Sequence, residues 1–284
     1  MSSHELELVR AQGVCKTFSR RGRSVVVLGQ VDFAVRRSEF VCLLGPSGCG
    51  KSTLLNIIVG LVTHDTGTVT VGGHDVRGPS HERSMMFQSP MLFPWATTRQ
   101  NVMFGPKAQG RARRRDAQRV KAEVDDVLVT VGLQGFEDAY PSELSGGMKH
   151  RVAFARALMS KPTVLLMDEP FGALDALTRG RMQEFLLQMW GHYQLTIVFV
   201  THDIEEAVLL GDRVCIMGRS PSRIIEDLEV PIRRPRMLDD IDEPEFVALK
   251  RHARRLLSGV ETGVGPTGDA GPPEAAPTGE GLSR

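Results

Sequence analysis

Two periods organise the apolar residues of this chain. Leu6-Glu7-Leu8-Val9, Val14 to Phe18, Val25 to Leu28 and Val31 to Val35 alternate apolar with polar positions and predict antiparallel strands. Thr68-Val69-Thr70-Val71 and Ser84 to Phe87 have the same character. From about Pro90 to Ser160 the spacing becomes helical, most clearly over Arg113 to Val131. Short apolar runs return at Thr163 to Met167, Thr196 to Val200 and Arg213 to Met217, with helical stretches between them. Strand–helix–strand alternation predicts a parallel sheet with helical crossovers, and the block 90–160 reads as a helical insertion in that α/β core. Over 244–257, Phe246, Leu249, Ala253 and Leu256 share one face, a final helix. Beyond Ser258 the chain is mostly Gly, Pro, Thr, Glu and Ala. Such a stretch cannot offset its ordering entropy by burial, so 259–284 is expected to be disordered.

One junction in this pattern carries chemistry. Phe40-Val41-Cys42-Leu43-Leu44 reads as a strand, and Leu54, Leu55, Ile57 and Ile58 read as a helix. Between them stand Gly45, Pro46, Ser47, Gly48, Cys49, Gly50, Lys51, Ser52 and Thr53, the spacing G-x-x-x-x-G-K-S. Glycines let successive backbone N–H groups turn inward as a nest for anionic oxygens, and the helix aims its positive end at the same point. Lys51 adds a cation for the β- and γ-phosphates, and Ser52 a hydroxyl for Mg²⁺. A glycine-rich turn with a solvated lysine is the bland alternative, but strand, loop and helix in register favour a nucleoside triphosphate site.

A second acidic element follows. Val164-Leu165-Leu166-Met167 forms a buried strand, and Asp168 and Glu169 emerge at its C-terminal edge, where α/β proteins bind ligands. Asp168 suits a metal anchor and Glu169 a base that polarises water. Shortly before it, Leu144-Ser145-Gly146-Gly147-Met148 leads into the helical stretch Arg151 to Met159, another helix start able to take an anion, or simply a serine-capped helix. With these motifs, about residues 5–235 resemble the ATP-binding subunit of an ABC transporter.

The resemblance implies an α/β P-loop NTPase (RecA-like) core with an antiparallel β-subdomain and an inserted α-helical subdomain at about 90–160, followed by a helical extension over 236–258. It implies that Ser145 and Gly147 touch the γ-phosphate held by a second copy of the chain, with Gly146 between them in the nucleotide site, and that Asp175, in Gly172-Ala173-Leu174-Asp175, lies in the loop crossing that dimer interface. Gln88 matches the glutamine that reaches Mg²⁺ and water. His202, in Val200-Thr201-His202-Asp203, matches the histidine that contacts the γ-phosphate, although a lone histidine at a strand end is more often a capping or surface residue. Phe18 matches the aromatic on which adenine stacks; on pattern alone a core aromatic is as good a reading.

Ser89-Pro90-Met91-Leu92-Phe93-Pro94-Trp95, with Met148 after the two glycines, is similar to the nitrate, sulfonate, taurine and bicarbonate importer group. In that group Phe93 and Trp95 are expected to meet a membrane permease rather than fill the subdomain core, and a solute-binding protein acts upstream. Lys149 and His150 depart from the arginine and glutamine usual there; His150 either makes ATPase activity mildly pH-dependent or is inert on the helix surface, and the second is the expectation.

Composition adds exclusions. A net charge of +1 gives no global pull toward nucleic acid, and the basic run Arg111, Arg113, Arg114, Arg115 and Arg119 is answered by Glu123, Asp125 and Asp126, a solvated helix. Four cysteines without C-x-x-C spacing are read as reduced thiols in a cytosolic protein. The N-terminus has no signal-peptide pattern, and no apolar run approaches the roughly 18 residues of a membrane helix. The expected location is therefore the cytoplasmic face of a membrane, held there by the permease. A DNA- or ribosome-directed ABC protein would need a second cassette or a long coiled coil. An ATP-holding regulator would be expected to lack Glu169 or His202, and a P-loop kinase would lack the 144–148 string.

Overall fold

The computed structural model describes residues 7–20, 23–113 and 116–262. Two long strands, β1 (Glu7–Arg20) and β2 (Arg23–Arg36), pair antiparallel, and with β4 (Thr66–Val71) and β5 (His74–Asp75) form a four-stranded sheet in the order β2-β1-β4-β5. The four short strands expected at the start of the chain are thus two bulged ones. Gly13 and Gln30, both at positive φ, take up the extra residues where the register shifts.

The second sheet has the order β10-β9-β3-β8-β7-β6, from β3 (Phe40–Leu44), β6 (Arg83–Met86), β7 (Val164–Asp168), β8 (Ile197–Thr201), β9 (Arg213–Met217) and β10 (Ile224–Glu229). All but β10 run parallel, so their C-terminal ends open on one edge. The antiparallel edge strand β10 has no counterpart in the sequence reading.

Parallel strands buried on both faces feed two cores. Phe40, Cys42, Leu44, Met167 and Phe199 join the first; Val41, Leu43, Leu166, Val198 and Val200 join the second. The second core takes Leu54, Leu55, Ile57 and Ile58 of α1 (Lys51–Val59) and the antiparallel sheet. Packed in the first are α3 (Ala117–Thr130), α4 (Gly146–Met159), α5 (Ala176–Tyr193), α6 (Ile204–Leu210) and α7 (Pro244–Thr262). With α2 (Thr98–Ala108), helices α3 and α4 make up the expected insertion; 90–97 is irregular and α3 starts four residues later than Arg113.

Phe246 and Ala253 of α7 are fully buried, and Lys250 pairs with Glu205 on α6. The helix continues to Thr262, so residues 259–262, expected to be disordered, are helical: extending a docked helix costs far less than nucleating one. Residues 263–284, the N-terminal residues 1–6, and Arg114 and Arg115 of the basic run lie outside the described residues.

Candidate functional site

The loop after β3 turns on two glycines at positive φ, Gly48 (77°) and Gly50 (107°). Space is as restrictive as dihedral angle. A Cβ on Gly50 would stand 2.8 Å from Leu28 Cδ2, and one on Gly45 2.9 Å from both Cys49 Sγ and Met217 O. Gly50 caps α1 without a side-chain acceptor, so the first-turn N–H groups of the helix face the loop, whereas Thr97, Ser145, Asp175 and Asp203 each cap their own helix through a side-chain oxygen. The Lys51 ammonium is buried and donates to Gly45 O at 2.8 Å and Pro46 O at 3.1 Å, leaving one of its three donors.

The neighbouring strand ends complete the site. β8 lies between β3 and β7, with Leu44 paired to Thr201 and Asp168 to Val200. Ser52 Oγ donates to Asp168 Oδ1 at 2.9 Å, and burial pushes the Asp168 carboxyl above the usual carboxylate range, while the bond from Ser52 pulls it down. Glu169 adopts φ +46°, a left-handed conformation costing on the order of 1–3 kcal/mol in a non-glycine residue. It is held there by its own N–H bonded to Val200 O at 3.0 Å and by its carbonyl accepting from Gly172 N at 3.1 Å. The strained turn brings Glu169 Oε2 to 3.1 Å from His202 Nδ1. Gln88 closes the group: a Cβ on Gly172 would lie 3.1 Å from Gln88 Nε2 and 3.8 Å from Glu169 Oε2.

The structure therefore brings together the loop 45–53, Asp168, Glu169, His202 and Gln88. Phe18 is 41% exposed on β1, which sets aside the core-aromatic reading; Lys16 Nζ lies 5.4 Å from its ring centroid. Its cross-strand neighbour is Val25, on the strand whose Val27 and Leu28 pack against Gly50. Ser145, Gly146 and Gly147 are elsewhere. They open α4 in the opposite core from α1, and among the described residues no hydrogen bond joins them to the loop 45–53. Instead they sit beside the start of α5: a Cβ on Gly147 would meet Thr178 Cγ2 at 3.3 Å, and one on Gly146 would meet Leu174 Cδ2 at 3.6 Å. Asp175 caps α5 by accepting from Thr178 N at 3.0 Å, a bond that holds its carboxyl below the usual range.

His150 is buried, not on the helix surface. Its position on α4 turns inward, with its ring 6.3 Å from that of Phe171, just after Glu169-Pro170. Burial lowers its pKa, and Nδ1 has no partner among the described residues.

The loop 90–97 is stapled from below. Fully buried Asn101 accepts from Phe93 N at 2.8 Å and donates to Phe93 O, Ala96 O and Thr97 O, while Arg156 donates to Pro90 O and Met91 O. Phe93 packs on Phe104 with centroids 4.8 Å apart, and Trp95, 75% exposed, stands over Phe93 at 5.5 Å.

Sequence reasoning did not single out the polar residues behind His202: Thr201, Glu206 and Gln183, all buried, with Thr201 and Gln183 each donating to Glu206. A glutamine and a glutamate on amphipathic helices give no sign of facing inward.

Residues 28–172 match the family model described as ABC transporter. The chain is 42% identical over 244 residues to the taurine import ATP-binding protein TauB of Jannaschia sp. (strain CCS1), covering 84% of this chain and 90% of that protein. It is 45% identical to the nitrate import ATP-binding protein NrtD of Synechocystis sp. (strain ATCC 27184 / PCC 6803 / Kazusa), covering 87% and 94%. Among solved structures, the dimeric post-hydrolysis ATP-binding cassette MJ0796 bound to ADP and Pi superposes with a TM-score of 0.66 at 28% identity, over 79% of this chain and all of that one. The chain belongs to the ABC transporter family, as one of its ATP-binding and ATP-hydrolysing cassettes.

Proposed function

We propose that the chain hydrolyses ATP, as a dimer with a second copy of itself, to drive import of a small anion of the nitrate, sulfonate, taurine or bicarbonate kind through a membrane permease. The observation that carries this reading is one edge of the parallel sheet where Lys51, the Ser52–Asp168 pair and the Glu169–His202 pair converge beyond β3, β7 and β8. The curated relatives include import ATP-binding proteins for taurine and nitrate.

Within this reading the backbone of Gly45, Pro46, Ser47, Gly48, Cys49, Gly50 and Thr53 cradles the phosphates, and Lys51 turns an ammonium donor toward the β- and γ-oxygens. Phe18 stacks the adenine. The donor set fits Mg²⁺: Ser52 Oγ and Asp168 Oδ1 are hard oxygens 2.9 Å apart, and Gln88 would add an amide oxygen. Held by these residues, Mg²⁺ would supply positive charge to offset that of the phosphates. Glu169 takes the proton of the attacking water, and its contact with His202 fixes the imidazole facing the γ-phosphate. Ser145, Gly146 and Gly147 complete the site of the second subunit, and Asp175 lies at the shared interface. The domain division follows: an ATP-binding domain over 5–235 and a helical extension from 236.

The loop around Phe93 and Trp95, fastened by Asn101 and Arg156, docks the permease; preorganisation lowers the entropy cost of that contact. No helix among the described residues is long and apolar enough to cross a membrane; in this reading the permease contact holds the subunit at the cytoplasmic face. A solute-binding protein delivers the anion from the far side. Nucleic acid is not a partner.

Sharing of each site between subunits is tested by mixing Lys51→Ala with Ser145→Arg chains. Mixed dimers carry one site with both lesions and one with neither, and part of the ATPase activity returns. If demonstrated mixed dimers are as inactive as either parent, the sites are not shared.

A further inference from the structure

Behind His202 lies a buried polar chain with no part in the assignments above. Thr201, the last residue of β8, donates its hydroxyl to Glu206 Oε2 at 2.6 Å and accepts from Asp203 N at 3.0 Å, so both neighbours of His202 hang on one oxygen. Asp203 Oδ1 in turn accepts from Glu205 N and Glu206 N, at 2.8 and 3.2 Å, and caps α6. The other carboxylate oxygen of Glu206, Oε1, accepts from Gln183 Nε2 at 3.0 Å. Gln183 is on α5, eight residues from the Asp175 cap, about 12 Å along a helix rising 1.5 Å per residue. Thr201, Glu206 and Gln183 are 2%, 7% and 7% exposed. Among the described residues no cation forms a salt bridge with Glu206, and Arg179 favours its charged form only from a distance. Burial pushes its carboxyl above the usual range.

A buried carboxylate whose side-chain hydrogen bonds come from two neutral donors is costly to desolvate, and a neutral filler would serve packing alone better. Its two oxygens instead join two elements with separate tasks: the loop bearing His202 at the strand ends, and the helix that begins at the turn 172–175 beside Ser145–Gly147. We propose that Glu206 is a positioning residue for ATP hydrolysis, holding the His202 loop in register with α5 and so with the subunit-facing turn at Asp175. The inference rests on the role given to His202 above.

The test is a double-mutant cycle on ATPase turnover. Glu206→Ala strips Thr201 and Gln183 of their shared acceptor, and kcat is expected to fall about 10-fold while KM for ATP changes less than about two-fold, the split expected when orientation rather than binding is lost. Glu206→Gln, which keeps the shape and can bond both neighbours after an amide flip of Gln183, recovers most of that loss. In a His202→Ala background Glu206→Ala adds no further loss, because the group it positions is gone. Thr201→Val, which keeps the packing of β8, repeats the measurement should Glu206→Ala lower the melting temperature enough to obscure it. Equal losses from Glu206→Ala with and without His202 overturn the inference alone, as does a Glu206→Ala chain turning over at the parent rate. A His202→Ala chain with unchanged turnover overturns the role of His202 and this inference together.

Discussion

Replacing Trp95 by alanine separates docking from catalysis. Three quarters of the Trp95 side chain is free to be covered by a partner. A tryptophan buries ~150–250 Å², so at ~25 cal/mol per Å² covering that share contributes ~3–5 kcal/mol at most, two to three orders of magnitude in affinity. Among the described residues its only ring contact is Phe93, at a centroid distance of 5.5 Å and an interplanar angle of 35°. Losing one such contact costs ~0.5–1.5 kcal/mol, and the loop itself stays fastened by Asn101 and Arg156. Trp95→Ala is therefore expected to leave nucleotide affinity and basal ATPase of the isolated subunit unchanged and to lower its melting temperature by a few degrees at most. Pull-down with the permease weakens by 10² or more, and transport into proteoliposomes fails. Phe93→Ala is a poorer probe, since Phe93 also packs on Phe104 and under Arg156, 5.5 Å away. If Trp95→Ala assembles and transports as the parent does, the permease docks elsewhere.

Two further outcomes follow from packing. Phe246 is fully buried at the foot of α7, and Phe246→Ala should destabilise the chain by about 3–5 kcal/mol in urea unfolding, with a smaller loss meaning that α7 docks loosely. Burial lowers the folded-state pKa of His150 below its unfolded value near 6.5, so the stability it contributes is complete above about pH 6.5 and is lost as pH falls through the folded value, by up to about 1.4 kcal/mol per pH unit. Melting curves of the parent should therefore drop more steeply than those of His150→Gln below pH 6.5; parallel curves would place the acid sensitivity in another group.

What the sequence made legible was local. The loop 45–53 announces itself because the glycines, the lysine and the flanking strand and helix are consecutive, and Asp168 because a short apolar strand ends in it. What depended on distant partners was not legible. β10 reads Ile-Ile-Glu-Asp-Leu-Glu and is a strand because one edge of β9 remains to be paired, a fact outside its own composition. The continuity of β1 and β2 is hidden because bulges at Gly13 and Gln30 break the alternation that marks a strand. His150 looked like one more polar residue on an exposed helix, and only the approach of Phe171 shows that its side of α4 is covered. Phe18 shows the reverse limit: alternation cannot say which face of a sheet is covered, and its 41% exposure removes the core-aromatic reading.

Glu169→Gln bears most directly on the central claim, ATP hydrolysis at a site closed by a second subunit. The substitution keeps the size of the side chain and its reach to His202, 3.1 Å from the present carboxylate, but removes the base. Turnover should fall by ~10²–10⁴ with ATP binding retained. With ATP and Mg²⁺ the variant should then elute from size-exclusion chromatography as a stable dimer, and without ATP as a monomer. A Glu169→Gln chain that hydrolyses ATP at the parent rate, or that binds ATP and stays monomeric, would contradict it.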